Sequence, residues 1–134
     1  MILNKDNAVY YFESSNILVG LGPDANGTLL ISSHYDSAVL SHGVTDDGIA
    51  TGAMMSVISA LSNYACHNLL QFRVLFLFNN AEEVNLLGSL AFTKDKQFDS
   101  VSAFLNFGIL LLIKTVQVYL ETARRSCLGQ IHKD

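Results

Sequence analysis

The sequence predicts an α/β fold with a mixed, mostly parallel sheet and helices on both faces. Two short apolar runs, residues 28–33 and 72–78, have the length and composition of buried strands. Between them, from about residue 47 to residue 63, apolar side chains recur at three- and four-residue steps. That period is typical of an amphipathic helix packed against a sheet. Strands and helices that alternate along a chain indicate an α/β sheet.

The remaining elements extend this pattern at both ends. Residues 9–12 and 16–21 are predicted to be two strands that form an antiparallel pair. Residues 83–92 are predicted to begin a second helix, and residues 102–107 a further strand. The order β-β-β-α-β-α-β therefore predicts helices on both faces of one sheet, which is incomplete on its C-terminal side.

Composition limits the chain to one domain and excludes several classes of protein. The 134 residues suffice for one hydrophobic core. Half of them are apolar and 15% are charged, with a net charge of -4, which excludes a disordered segment and disfavours nucleic acid as a partner. Residues 100–113 carry no charge, but this run is shorter than a spanning helix, so we interpret it as core. We expect neither a targeting signal nor a membrane anchor. Asn26 begins a glycosylation sequon.

Ionisable residues come directly after the predicted strands or begin the predicted helix. The candidate site residues are His34, Asp36, Asp46, Asp47, Glu82 and Glu83. In an open α/β sheet the carboxyl ends of the strands share one edge, where ligands bind. One imidazole and up to five carboxylates would meet there. Because imidazole and carboxylate together suit zinc, the sequence predicts a metal site.

Each of these groups also has a simpler explanation when it is taken alone. His34 could be a polar residue at the rim that the backbone satisfies. Asp46 or Asp47 is well placed to cap the following helix. The two adjacent glutamates could be a solvated pair. The conjunction favours the metal, with Asp36 expected to accept the second N–H of the His34 imidazole.

The motifs around these residues resemble a known enzyme family. HYDS at 34–37, GVTDDG at 43–48 and FLFNNAEE at 76–83 occur in this order. They are similar to those of the zinc-dependent aminopeptidase Y-type metallopeptidase family. Within it the likeness is to the fungal vacuolar membrane protease and endoplasmic-reticulum metallopeptidase subgroup. The resemblance covers about residues 9–107.

The resemblance implies a role for each candidate residue. His34 matches a ligand of one zinc, Glu83 a ligand of the second, and Asp46 the carboxylate that bridges both. Glu82 matches the general base and Asp36 the partner of the ligand histidine. The implied reaction is hydrolysis of a peptide bond, at a free N-terminus, with two zinc ions per site and a peptide as substrate.

The chain departs from the family pattern after residue 107. Gly108 stands where the family carries an acidic zinc ligand. The last histidine ligand of the family is expected beyond residue 134. We therefore divide the chain into a partial zinc peptidase catalytic domain, residues 1–113, and a divergent tail, residues 114–134. Each zinc would keep two protein ligands where three are usual, so the chain alone is expected to have weak or no activity.

Two other functions remain open. The first is a non-catalytic remnant that acts as a binding fragment, with self-association through an open sheet edge. The second is a single-zinc acyltransferase of the glutaminyl cyclase type. By resemblance alone, the chain is expected in the vacuole or another secretory lumen. The subgroup is membrane-bound, although no anchor is expected within these residues.

Overall fold

The computed structural model describes residues 2–5, 8–11, 15–24, 27–108 and 117–119. The strands are β1 (Ile2–Lys5), β2 (Ala8–Tyr11), β3 (Ile17–Leu21), β4 (Thr28–His34), β5 (Arg73–Asn79), β6 (Val101–Asn106) and β7 (Gln117–Tyr119). The helices are α1 (Ile49–Cys66) and α2 (Leu87–Phe92), and a short 3-10 helix spans Lys96–Ser100. The Asn26 sequon and most of the predicted tail lie outside the described residues.

Five strands form one mixed sheet in the order β3-β5-β4-β6-β7. The three central strands are parallel, whereas β3 runs antiparallel to β5 and β7 antiparallel to β6. The mixed, mostly parallel α/β sheet is therefore confirmed. His34 at the end of β4 lies opposite Asn79 at the end of β5, and Ser32 lies opposite Asn106 of β6. The register thus brings the carboxyl ends of three parallel strands to one edge.

The central strands are apolar because both of their faces are covered. On one face, Met54 of α1 is fully buried against a cluster that includes Ile31 and Phe76. On the other face, Phe92 of α2 packs with a cluster that includes Leu75. Neighbouring strand residues point to opposite faces, so a strand covered on both sides is apolar throughout. The prediction of helices on both faces is confirmed.

Two predicted local features are wrong. β2 pairs with β1 in a two-stranded sheet, with Lys5 opposite Ala8, and not with β3. β3 pairs instead with β5, where its apolar side chains extend the core. The second helix begins at Leu87, later than the predicted residue 83. Asn85 and Leu86 have φ of 59° and 57°, which an α-helix does not accommodate.

The sequence predicts a sheet with an open edge, and the two outer edges of the observed sheet are not alike in this respect. Residues 104–106 of β6 pair with β7, so this edge is covered over three residues. On the opposite side, β3 has no strand beyond it in the part of the chain that the structure describes.

One stretch of the described chain, the 23 residues Val44–Cys66, is long and apolar enough to cross a membrane, with a mean hydropathy of 1.2 over an 18-residue window. It comprises α1 and the turn before it. The α1 side chains Met54, Val57 and Leu61 pack on the sheet, so α1 contributes to the core of this domain.

Candidate metal centre

His34 is the last residue of β4 and is buried, with every polar group bonded. Its backbone N–H donates to Asp47 Oδ2 at 3.2 Å, and its carbonyl oxygen accepts a hydrogen bond from Thr51 Oγ1 at 2.9 Å. In the ring, Nδ1 lies 3.0 Å from the carbonyl oxygen of Asp36, and Nε2 lies 2.9 Å from Asp46 Oδ1. The imidazole is therefore held in one orientation.

Asp46 and Asp47 lie in an irregular turn, Val44–Gly48, that precedes α1. Both depart from helical backbone angles, and the peptide bond between them is cis. The prediction that one of them caps α1 is wrong, because the N-terminus of α1 receives no side-chain hydrogen bond. The turn instead directs Asp46 toward His34 and encloses Asp47, which is only 1% exposed.

Asp36 joins the ends of β4 and β5. Its Oδ1 accepts a hydrogen bond from the backbone N–H of Glu82 at 3.1 Å, and its Oδ2 accepts one from Glu83 at 3.2 Å. The expectation that this carboxylate binds the His34 imidazole needs correction. The ring nitrogen is closer to the Asp36 carbonyl oxygen, at 3.0 Å, than to Oδ1, at 3.6 Å. The side chain positions the two glutamates instead.

The two glutamates face different partners. Glu83 Oε1 accepts a hydrogen bond from the backbone N–H of Ala38 at 3.0 Å. Glu82 Oε2 lies 3.9 Å from His34 Nε2. Donor atoms of His34, Asp46 and Glu83 all lie within 4.8 Å of one another. The structure thus brings together the three residues predicted as metal ligands, with Glu82 beside them.

The contacts of His34 require a proton or a metal ion between its Nε2 and Asp46. Because the Asp36 carbonyl can only accept, Nδ1 carries the hydrogen of the ring. In a neutral imidazole, Nε2 is then an acceptor, yet it faces a carboxylate oxygen of Asp46 at 2.9 Å. Two acceptors at this distance repel each other unless a proton or a metal ion lies between them. The donor set and its spacing therefore fit a divalent metal.

Three groups of this cluster have raised pKa values. Burial by itself lowers the pKa of His34, but the hydrogen bonds to Asp46 and to the Asp36 carbonyl, with the charge of Glu82, raise it overall. Burial raises the pKa of Glu82, and the charges of the neighbouring carboxylates add to this effect. Burial also raises the pKa of Asp47 to about 6. Burial thus favours the neutral form of Asp47 and Glu82, whereas the neighbouring carboxylates favour the protonated form of His34.

Sequence reasoning missed Thr51 and the inward orientation of Asp47. Thr51 lies in the first turn of α1, whereas Asp47 lies in the non-helical turn before it, and both bind the backbone of His34. Because the turn that places Asp47 is not helical, neither apolar nor helical periodicity in the sequence signals these two contacts.

Gly108 lies just beyond β6 at the same edge of the sheet. The backbone N–H of Phe107 donates to the carbonyl oxygen of Ser32, so β6 continues alongside β4. Among the residues that the structure describes, a Cβ at position 108 would contact only Asn106 Nδ2, at 3.6 Å. The end of β6 therefore has room for a side chain but supplies no ligand.

The chain is similar to one family of known proteins. The model of "Peptidase family M28" matches residues 16–130. This range extends past Gly108 into the predicted tail, and the proposed division at residue 113 stays a prediction. No solved structure matches the chain.

Curated relatives carry the name "Vacuolar membrane protease". The protein of Candida albicans strain WO-1 is 42% identical over 109 residues, which are 79% of this chain and 12% of the relative. The protein of Clavispora lusitaniae is 38% identical over 102 residues, 75% of this chain and 10% of the relative. The protein of Vanderwaltozyma polyspora is 41% identical over 135 residues, 90% of this chain and 14% of the relative. The chain thus spans a small part of the length of these relatives.

Proposed function

Because this chain belongs to peptidase family M28, we propose that it forms the zinc-binding part of a peptide hydrolase. His34, Asp46 and Glu83 hold the zinc, and Glu82 is the general base. The observation that carries this proposal is the convergence of three donor atoms within 4.8 Å of one another.

The cluster supports one zinc ion per chain more directly than two. Three protein ligands around one ion match the usual catalytic zinc, which keeps one further position for water or substrate. Two ions that share Asp46 would each have only two protein ligands, as expected from the sequence. We therefore propose one occupied position in this chain, with a second position incomplete at Gly108.

The role proposed for Glu82 is supported by its environment. When bound, zinc supplies Lewis-acid polarisation of the peptide carbonyl and of water. Glu82 takes a proton from water at its carboxylate and returns it to the leaving amine. Its raised pKa suits both steps, because a base that is too acidic accepts protons poorly. Asp36 holds the backbone of Glu82 in place for this exchange.

The substrate and the location are proposed from the relatives. Their name describes proteases of the vacuolar membrane. We propose a peptide substrate, cleaved at a free N-terminus, and a vacuolar location. The chain covers 12% of the Candida albicans relative, so this proposal concerns the activity of a longer protein. For these 134 residues alone we expect weak or no hydrolysis, because Gly108 contributes no ligand.

A single zinc ion also fits acyl transfer of the glutaminyl cyclase type. The one-ion cluster favours this alternative over a two-zinc hydrolase. The relatives are named as proteases, which favours hydrolysis. An assay that offers both an aminoacyl substrate and an N-terminal glutaminyl peptide separates the two reactions, since only the cyclase releases ammonia from the second.

Zinc stoichiometry tests the proposal. After dialysis against zinc and then against zinc-free buffer, we expect about one zinc per chain by elemental analysis. Glu83→Ala removes one of three ligands and should abolish retention. His42→Ala is the matched control, because His42 is exposed and outside the cluster. A wild-type chain that retains no zinc, or a Glu83→Ala variant that retains as much as the wild type, would contradict the metal site.

A further inference from the structure

The backbone N–H and carbonyl oxygen of His34 are bonded to the first turn of α1 and the turn before it. Asp47 accepts the hydrogen bond of its N–H, and Thr51 donates to its carbonyl oxygen. Ser33, 1% exposed, lies with its Oγ 3.2 Å from Thr51 Oγ1 and completes the chain of hydroxyl hydrogen bonds. His34 also lies opposite Asn79 of β5, so these contacts fix its backbone in addition to the pairing of β4 with β5.

Asp47 occupies its position at an energetic cost. Its side chain is buried, and its second oxygen, Oδ1, has no hydrogen-bond partner among the described residues. A buried carboxylate with an unsatisfied oxygen is unfavourable for folding. Asp47 is not among the three residues whose donor atoms converge, so binding metal directly does not explain this cost. Its one hydrogen bond goes to the backbone of His34.

We infer that Asp47 and Thr51 are positioning residues that orient the His34 imidazole for metal binding before the metal arrives. This inference rests on the proposed metal site. The backbone of His34 sets the direction of its Cα–Cβ bond, and the Asp36 carbonyl then sets the rotation of the ring. Together they direct Nε2 toward Asp46. Neither Asp47 nor Thr51 takes part in the chemistry.

The first experiment needs no metal. The measurement is made in a chelator at about pH 6, where the raised pKa of His34 keeps both ring nitrogens protonated. There the Nδ1 hydrogen of His34 should give an NMR signal that is protected from exchange, because it is bonded to the Asp36 carbonyl. We expect this signal to be lost in Asp47→Ala and in Thr51→Val. It should persist in Asp47→Asn, whose amide oxygen still accepts from the His34 N–H, and in Thr51→Ser, which keeps the hydroxyl.

The second experiment measures zinc affinity by competition with a chromophoric chelator. We expect Asp47→Ala to weaken zinc binding by about 10- to 100-fold, as is typical when a residue that orients a ligand is removed. Thr51→Val should weaken it by a smaller factor. Asp47→Asn and Thr51→Ser should remain close to the wild type. If Asp47→Ala does not fold, the Thr51 pair decides the question.

The two experiments separate this inference from the proposed function. Unchanged His34 signals in folded Asp47→Ala and Thr51→Val would overturn the positioning role, whether or not zinc binds. Wild-type protein that binds no zinc, with His34 signals that respond to both substitutions, would overturn the metal site and leave the positioning role standing. Loss of the signal together with loss of affinity supports both.

Discussion

The carboxyl ends of β4 and β6 lie side by side in the sheet but carry different residues. At the end of β4 the chain supplies a histidine whose backbone and ring are bonded on all sides. Beyond β6 it supplies Phe107 and Gly108, and within the described part of the chain an added Cβ at position 108 would meet only Asn106 Nδ2, at an ordinary contact distance of 3.6 Å. The same parallel pairing brings the two ends together.

This difference shows that the sheet and the site are separate properties of the chain. Apolar strands β4, β5 and β6 create the edge regardless of the residues at their ends. The cluster depends on a few polar residues beyond β4 and β5 that bind one another, chiefly through Asp36. The end of β6 lies at the same edge of the sheet but contributes no residue to the ligand cluster. Changes at either end should therefore alter metal binding and leave the sheet in place.

The largest effect is expected where the two ligand-bearing strand ends are joined. Asp36→Ala removes the acceptor of the Glu82 and Glu83 N–H groups. We expect zinc affinity to fall about 10- to 100-fold. Stability should fall by about 2–4 kcal/mol, because two partly buried N–H groups lose a charged acceptor. Chelator competition and urea denaturation measure the two effects.

Asp99→Ala serves as its control, since Asp99 is an exposed aspartate in the 3-10 helix. It should change neither zinc affinity nor stability by more than about 0.5 kcal/mol. If Asp36→Ala binds zinc as the wild type does, the ends of β4 and β5 form the cluster without the carboxylate that joins them.

A smaller effect is expected if the end of β6 is given a ligand. Gly108→Glu places a carboxylate where the structure leaves room. We expect zinc affinity to rise by about tenfold, because an additional anionic ligand completes the coordination. Calorimetric titration with zinc measures the change.

Gly52→Glu adds the same charge on the exposed side of α1, where nothing lies within 4 Å of an added Cβ. It should leave zinc affinity unchanged. Equal gains in the two variants would mean that net charge, and not the position at the end of β6, strengthens binding.

The smallest expected effect is on the pH dependence of folding stability in the absence of metal. The pKa of Asp47 rises from 3.8 to about 6 on folding, so between these pH values the folded chain binds more protons than the unfolded chain. Stability in chelator should therefore fall as the pH rises from about 4 to about 6, and this contribution should level off above that. In Asp47→Asn the contribution is absent. We expect the wild-type melting temperature to fall by a few degrees more than that of the variant over this range.

Thermal unfolding monitored by circular dichroism at several pH values measures the difference. The raised pKa of Glu82 acts in the same direction in both proteins. The raised pKa of His34, to which the charge of Asp47 contributes, alters stability only above pH 6.5, outside the compared range. Parallel curves for wild type and Asp47→Asn would show that Asp47 does not titrate in this range.

The sequence was sufficient to predict the mixed sheet and the three residues whose donor atoms converge, but not the contacts that those residues make. Apolar runs predicted β4 and β5 because burial on both faces leaves a simple pattern. The pairing of β3 was predicted wrongly, because adjacency in sequence does not reveal that β5 offers its apolar side chains a larger core. The inward turn of Asp47 could not be predicted, since an acidic residue before a helix usually caps it.

The two hydrogen bonds of Asp36 have a consequence for the order of folding. They join Asp36 to Glu82 and Glu83, across sequence separations of 46 and 47 positions. The whole of α1 lies between the joined residues. Contacts of such long range carry a larger loop-closure entropy than local contacts such as those within α1, and they form more slowly. We therefore expect the cluster to close in the last stage of folding. Zinc uptake during refolding would then proceed at the rate of global folding, and the metal would act as a reporter of the finished domain and not as its nucleus.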